Sequence, residues 1–256
     1  MAHQLPGGRP ETADDAGTAT VGGTGSRAVG GARRGLPGWA SVLLNVVVAL
    51  VVVSVVQAFF VKVYSVPSGS MEQTLNVGDR MLVNRMAYPD GLAGSQDVVV
   101  FTADEAWAQP TGPDGPLEAV VKTFGDITGI GVSHEQALVK RVIGTPGQTV
   151  ECCSTNGAVV VDGTPLDEPY IHQDLPFLPG SLDCTTEPRS PRCFPALTVP
   201  EGNHLVLGDH RSNSADSVIA CRGLAAAGDC ARFVPHEEIV GEVFATIWPP
   251  GNWGTP

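Results

Sequence analysis

Lysine is scarce in this 256-residue chain: Lys62, Lys122 and Lys140 stand against twelve arginines. An arginine does not give up its proton inside a protein, so chemistry that needs a neutral amine has three side chains to draw on. Positive charge of any kind is sparse beyond the first 62 positions. From residue 63 onward 24 acids face 10 bases, which excludes nucleic acid as a partner, because a phosphate backbone needs a basic footprint. The acidic surface keeps such a domain soluble. Cysteine is missing from the first 151 residues, and all six cysteines fall in the later part of the chain. No Gly-x-Ser-x-Gly elbow occurs, which argues against the usual Ser/His/Asp hydrolase arrangement. After one long apolar run no second follows.

That run is the first thing the sequence does contain. Residues 1–38 are Gly, Ala, Thr and Arg-rich with few large apolar side chains, so they cannot offset ordering entropy and read as a disordered tail. Ala40–Val61 then carries no charge over 22 residues, about 33 Å as a helix against a bilayer core of roughly 30 Å. A transmembrane anchor over residues 39–62 is predicted. The long tail before it, and the absence of a small-x-small site at Val66-Pro67-Ser68, argue against a cleaved leader. Arg27, Arg33 and Arg34 precede the run while only Lys62 closely follows. The positive-inside rule therefore puts the tail in the cytoplasm and residues 63–256 outside.

With 31 glycines and 21 prolines the chain is too turn-rich for a helical bundle. Runs of β-branched residues bounded by Gly, Pro and Asp predict strands at Arg80–Val83, Asp97–Phe101, Ala119–Phe124, Ala137–Ile143, Thr149–Cys152, Ala158–Asp162, His204–Leu207 and Ile239–Trp248. The proline-rich stretches 102–118 and 173–200 read as insertions. The cysteine placement fits an oxidising exterior, with Cys184–Cys193 and Cys221–Cys230 as the expected bridges. Cys152 and Cys153 are left unplaced, since a bridge between neighbours is strained. No spacing matches a zinc-ligand pattern.

Chemistry concentrates in three stretches. Ser68-Gly69-Ser70-Met71 sets two hydroxyls around a glycine just past the apolar run. Lys140 lies inside an apolar strand, Ala137–Ile143, where alternation turns it away from Val139 and Arg141. If that face is the core, desolvation brings the amine to about 7–8, low enough to act as a base toward a serine. The third stretch runs from Gly208 to Ser217. Within it His210 follows Asp209, but neighbours on a strand point to opposite faces, so Asp209 is poorly placed to orient it. Met71 and Leu75 face lipid, the apolar region of a bound chain, or the core.

Taken together, Ser68-Gly69-Ser70-Met71 with Thr74-Leu75 and Gly78-Asp79, the run Lys140-Arg141-Val142-Ile143-Gly144-Thr145-Pro146-Gly147, and Gly208-Asp209-His210-Arg211-Ser212-Asn213-Ser214-Ala215-Asp216-Ser217 resemble, in this order, the blocks of the bacterial type I signal peptidases, serine/lysine enzymes that remove signal peptides from exported proteins. The resemblance spans about residues 66–217. It implies a mainly β fold: an antiparallel, barrel-like catalytic domain behind an N-terminal transmembrane helix. It implies Ser70 as nucleophile and Lys140 as general base, with the Ser68 hydroxyl and the Ser70 N–H as oxyanion donors. Ser214 would orient the lysine amine, and Asp209 with Arg141 would form a supporting ion pair. The implied chemistry needs no metal or organic cofactor. The implied partners are signal-peptide-bearing preproteins, the lipid bilayer and the secretion channel. Four positions depart from the family pattern. Gln73 stands where proline is usual, His210 where asparagine is, Val218 where an arginine is common, and Ser95-Gln96-Asp97 replaces the usual Arg-Gly-Asp turn. The third of these leaves Asp216 without its expected arginine.

Overall fold

The computed structural model describes residues 37–89, 91–103 and 137–256, together with Trp107, Gly115, Leu117, Lys122 and Thr123. The expected disordered tail lies outside the described residues up to position 36. So does the strand expected at Ala119–Phe124, apart from Lys122 and Thr123, which are helical. Most of the stretch 102–118 is likewise outside. Two units divide the chain, Met1–Ser41 and Val42–Pro256. The first is described only from Pro37 onward.

The charge-free apolar run forms helix α1 (Gly38–Phe59), none of whose residues is buried. It is long and apolar enough to cross a membrane. The helix stops short of the expected end of the anchor. Val61 and Lys62 belong instead to strand β1 (Val61–Ser65), where Val61 and Val63 suit extended backbone. Arg85 marks the junction: its backbone N–H donates to the Phe60 carbonyl at 2.9 Å and its guanidinium to the Ala58 carbonyl at 2.5 Å. A cation on the last carbonyls is a favourable helix end.

Ten further strands follow in chain order: β2 (Arg80–Asn84), β3 (Val98–Thr102), β4 (Ala137–Gly144), β5 (Thr149–Cys152), β6 (Val159–Val161), β7 (Thr164–Pro165), β8 (Phe194–Thr198), β9 (Asn203–Leu207), β10 (Val234–Pro235) and β11 (Ile239–Trp248). They build two antiparallel sheets, ordered β1-β2-β11-β3-β4-β9-β10 and β7-β6-β5-β8. The architecture is mainly β, as expected. The stretch 173–200 holds β8, which pairs with β5. Pro195 hides it in the sequence, and the strand tolerates that proline because it is an edge. All three pairs of cysteines are bridged: Cys184–Cys193 and Cys221–Cys230, and also the adjacent Cys152–Cys153.

Strand β4 is central to the larger sheet, between β3 and β9. Its register sets Lys140 opposite Val99, and Arg141 opposite Val98 on one side and Leu207 on the other. Every residue from Val139 to Gly144 is buried. Two cationic side chains in the middle of a covered strand must find partners, because an unpaired buried charge is costly. Those partners define the site.

Candidate active site

The segment from Val66 to Asp79 leaves β1, turns and returns to β2. Asp79 closes it. Its carbonyl accepts from the Val66 N–H at 2.9 Å, and its buried carboxylate accepts from the Asn76 N–H at 2.9 Å and the Asn252 amide at 2.8 Å. Gly78 takes a positive φ of 88° in this closure, which a glycine adopts at little cost. Met71 and Leu75 are fully buried and pack with Tyr64, Val98, Val139 and Val243. Of the alternatives open to them from sequence, they take the core. With those anchors set, the 3-10 turn Gly69–Met71 presents Ser70, itself buried, and Ser68 stays exposed with its Oγ 3.4 Å from the Ser70 Oγ.

Lys140 reaches this turn from β4. Its Nζ lies 2.5 Å from the Ser70 Oγ and 3.2 Å from the Val139 carbonyl. The side chain is only 4% exposed. Burial pulls the amine down from its ordinary 10.5 to about 8; Asp216 and Asp209 draw it back up, and Arg232 adds to the lowering.

Arg141 turns the other way and grips Asp209. Its Nε donates to Oδ1 at 2.9 Å and its Nη2 to Oδ2 at 2.7 Å, while Nη1 donates to the Gln96 carbonyl at 2.9 Å. The guanidinium also sits 3.9 Å from the centre of the Tyr170 ring. Thr74 completes the carboxylate shell, donating to Oδ2 at 2.6 Å. Asp209 thus joins the three sequence blocks: Thr74 from the serine segment, Arg141 beside the lysine, and itself from the last block. Its carboxylate is occupied by these donors and does not orient His210. The His210 backbone N–H instead donates to the Ser70 carbonyl at 3.1 Å. Gly208 packs against the same place: a Cβ there would lie 2.5 Å from the Ser70 carbonyl oxygen and collide with the Ser214 side chain.

Two details differ from the sequence reading, and a third accounts for one of the departures it noted. Ser214 is buried beside Gly208, but its Oγ has no hydrogen-bond partner, so the expected bond to the Lys140 amine is not made; the Val139 carbonyl takes that place. Asp216 does have an arginine: Arg222, six positions on, donates to its Oδ2 at 3.0 Å. Arg222 follows Cys221 in the loop that Cys221–Cys230 closes, and a partner arriving through a loop leaves no local pattern. Gln73 has φ +79°, which a proline ring cannot adopt. The backbone between Ser70 and Leu75 therefore follows a path the usual proline would forbid.

Among the described residues, two side-chain groups have metal-ligand chemistry. Cys153, Cys184 and Cys193 cluster, but all three are tied up in disulfides. Glu72, His172 and His210 converge beside the serine turn, from positions too far apart to show as a motif.

A family model described as "Signal peptidase, peptidase S26" matches residues 39–248. The chain is 34% identical to "Signal peptidase I" of Mycobacterium tuberculosis (strain H37Rv) over 223 residues, covering 81% of this chain and 72% of that one. It is 32% identical to "Probable signal peptidase I-1" of Synechocystis sp., covering 81% of each chain. It is 30% identical to "Signal peptidase IB" of Staphylococcus aureus (strain N315), covering 81% of this chain and 88% of that one.

Proposed function

Because the chain belongs to the signal peptidase family, peptidase S26, we propose that it cleaves signal peptides from exported preproteins by acyl transfer through Ser70 and Lys140. The observation that carries this reading is the 2.5 Å approach of the Lys140 Nζ to the Ser70 Oγ, with the amine buried and brought to about 8. A serine hydroxyl is a poor nucleophile until a neutral base stands against it, and this amine is neutral in a useful fraction near neutral pH.

In the proposed cycle the cleavage region lies as an extended strand beside Ser68–Met71, where main-chain hydrogen bonds hold it and shallow pockets admit small side chains one and three residues before the scissile bond. The Ser70 Oγ attacks the carbonyl carbon as Lys140 takes the hydroxyl proton. The Ser68 hydroxyl and the Ser70 N–H donate to the oxyanion. Collapse breaks the peptide C–N bond, and Lys140 passes its proton to the departing amine. Water, deprotonated by the same amine, then attacks the Ser70 ester; the ester C–O bond breaks, the acyl product leaves, and Lys140 returns the proton to the Ser70 Oγ. Arg141 and Asp209 hold the strand and the loop that frame the pair.

The same reading makes α1 the membrane anchor, with the tail cytoplasmic and the β domain extracytoplasmic, so that the site works on chains still held in the bilayer and close to the secretion channel. The test is processing of a precursor bearing an Ala-x-Ala site by the detergent-solubilised chain. The expected product begins at the residue after that site, and Ser70→Ala yields none. Cleavage by Ser70→Ala at the wild-type rate would refute the assignment.

A further inference from the structure

We propose that Glu72, His172 and His210 form a binding site for a divalent cation of the zinc class beside the nucleophile turn. Their candidate ligand atoms, one from each side chain, lie within 4.8 Å of one another. The His210 Nδ1 faces two acceptors, the Glu72 Oε2 at 2.7 Å and the Gly69 carbonyl at 3.1 Å.

An ion pair between Glu72 and His210 would account for that contact alone. It would not account for His172. The backbone brings this third side chain in: the His172 N–H donates to the Asp209 carbonyl at 2.8 Å and the Ser212 N–H to the Gln173 carbonyl at 3.1 Å, so His172 and His210 pair in a parallel bridge. Their rings meet edge to face with centroids 4.9 Å apart. Glu72 is placed by its own turn, its N–H donating to the Gly69 carbonyl at 3.2 Å, and the His210 N–H joins that turn to the histidine loop by donating to the Ser70 carbonyl at 3.1 Å. Three ligands from three separate segments are thus held together by main-chain bonds.

The donor set selects the ion. Two imidazoles and one carboxylate suit zinc or cobalt, whereas calcium and magnesium ask for all-oxygen cages. Three protein ligands leave a fourth position for water. A cation here takes the place of the proton between Glu72 and His210. It ties Glu72, two residues past Ser70, to the loop whose N–H holds the Ser70 carbonyl.

The experiment is titration of the untagged, detergent-solubilised full chain, disulfides intact, with Zn²⁺ by calorimetry and with Co²⁺ by visible absorbance. One equivalent is expected to bind. His172→Ala and Glu72→Gln each weaken it by about ten-fold or more, His236→Ala leaves it unchanged, and circular dichroism shows all variants folded. No saturable binding to the wild type, or equally tight binding to folded His172→Ala, would overturn the proposal. Binding is read without substrate, so its outcome is independent of the peptidase reading.

Discussion

Asp209 receives both arms of the Arg141 guanidinium, at 2.9 and 2.7 Å, where the two side chains are 1% and 8% exposed. Removing one member leaves the other charge buried without its counter-ion. Asp209→Ala is therefore expected to cost about 3–5 kcal/mol of stability, read as a lowered denaturant midpoint. A midpoint at the wild-type value would mean that the pair does not brace the loop.

Another buried acid makes the same point through a different partner. Asp216 is fully buried and meets Arg222 at 3.0 Å. Arg222→Ala should destabilise the fold by a similar amount, about 3–5 kcal/mol, in thermal or chemical unfolding. Arg222→Lys should recover part of the loss, since it restores the charge without the planar fork.

Gly208 has no room for a side chain. Its Cβ would stand 2.5 Å from the Ser70 carbonyl oxygen, so Gly208→Ala must push the serine turn away from Lys140. A displacement of about 1 Å costs on the order of 10²-fold in rate. Precursor cleavage by this variant is expected to fall by about that factor while the chain stays folded.

Lys140 should also leave a mark on stability. Its folded-state pKa, about 8, is below the ordinary 10.5, so the unfolded chain binds the proton more readily. The resulting penalty is complete below about pH 8, shrinks as pH rises toward 10.5, and vanishes above it. At pH 7 it amounts to roughly 3 kcal/mol. Lys140→Met is expected to be inactive yet more stable than the wild type at pH 7, with the advantage fading between pH 8 and 10.5 in parallel melts.

The approach of Lys140 to Ser70 is legible in the sequence because few residues compete for it. With three lysines in the chain and one of them in an apolar strand, Lys140 stood out before any contact was known. Strands β3, β4 and β11 were equally plain, because runs such as Val98-Val99-Val100-Phe101 are β-branched and bounded by turn residues. What stayed hidden depends on tertiary closure or on a misleading neighbour. Strand β1 continues the apolar run and reads as more of the helix. Strand β8 carries a proline that only an edge accepts. Arg222 reaches Asp216 through a disulfide-closed loop, and Thr74 reaches Asp209 across 135 positions. The empty shell of the Ser214 Oγ is a matter of side-chain geometry, which no sequence pattern encodes.

The most direct test of the central claim is the pH dependence of kcat/KM for precursor cleavage, with Lys140→Ala measured alongside. The account predicts a rise of about ten-fold between pH 7 and pH 9 with a single ionisation near 8, and no measurable cleavage by Lys140→Ala. A Lys140→Ala variant that keeps the wild-type rate and profile would contradict it.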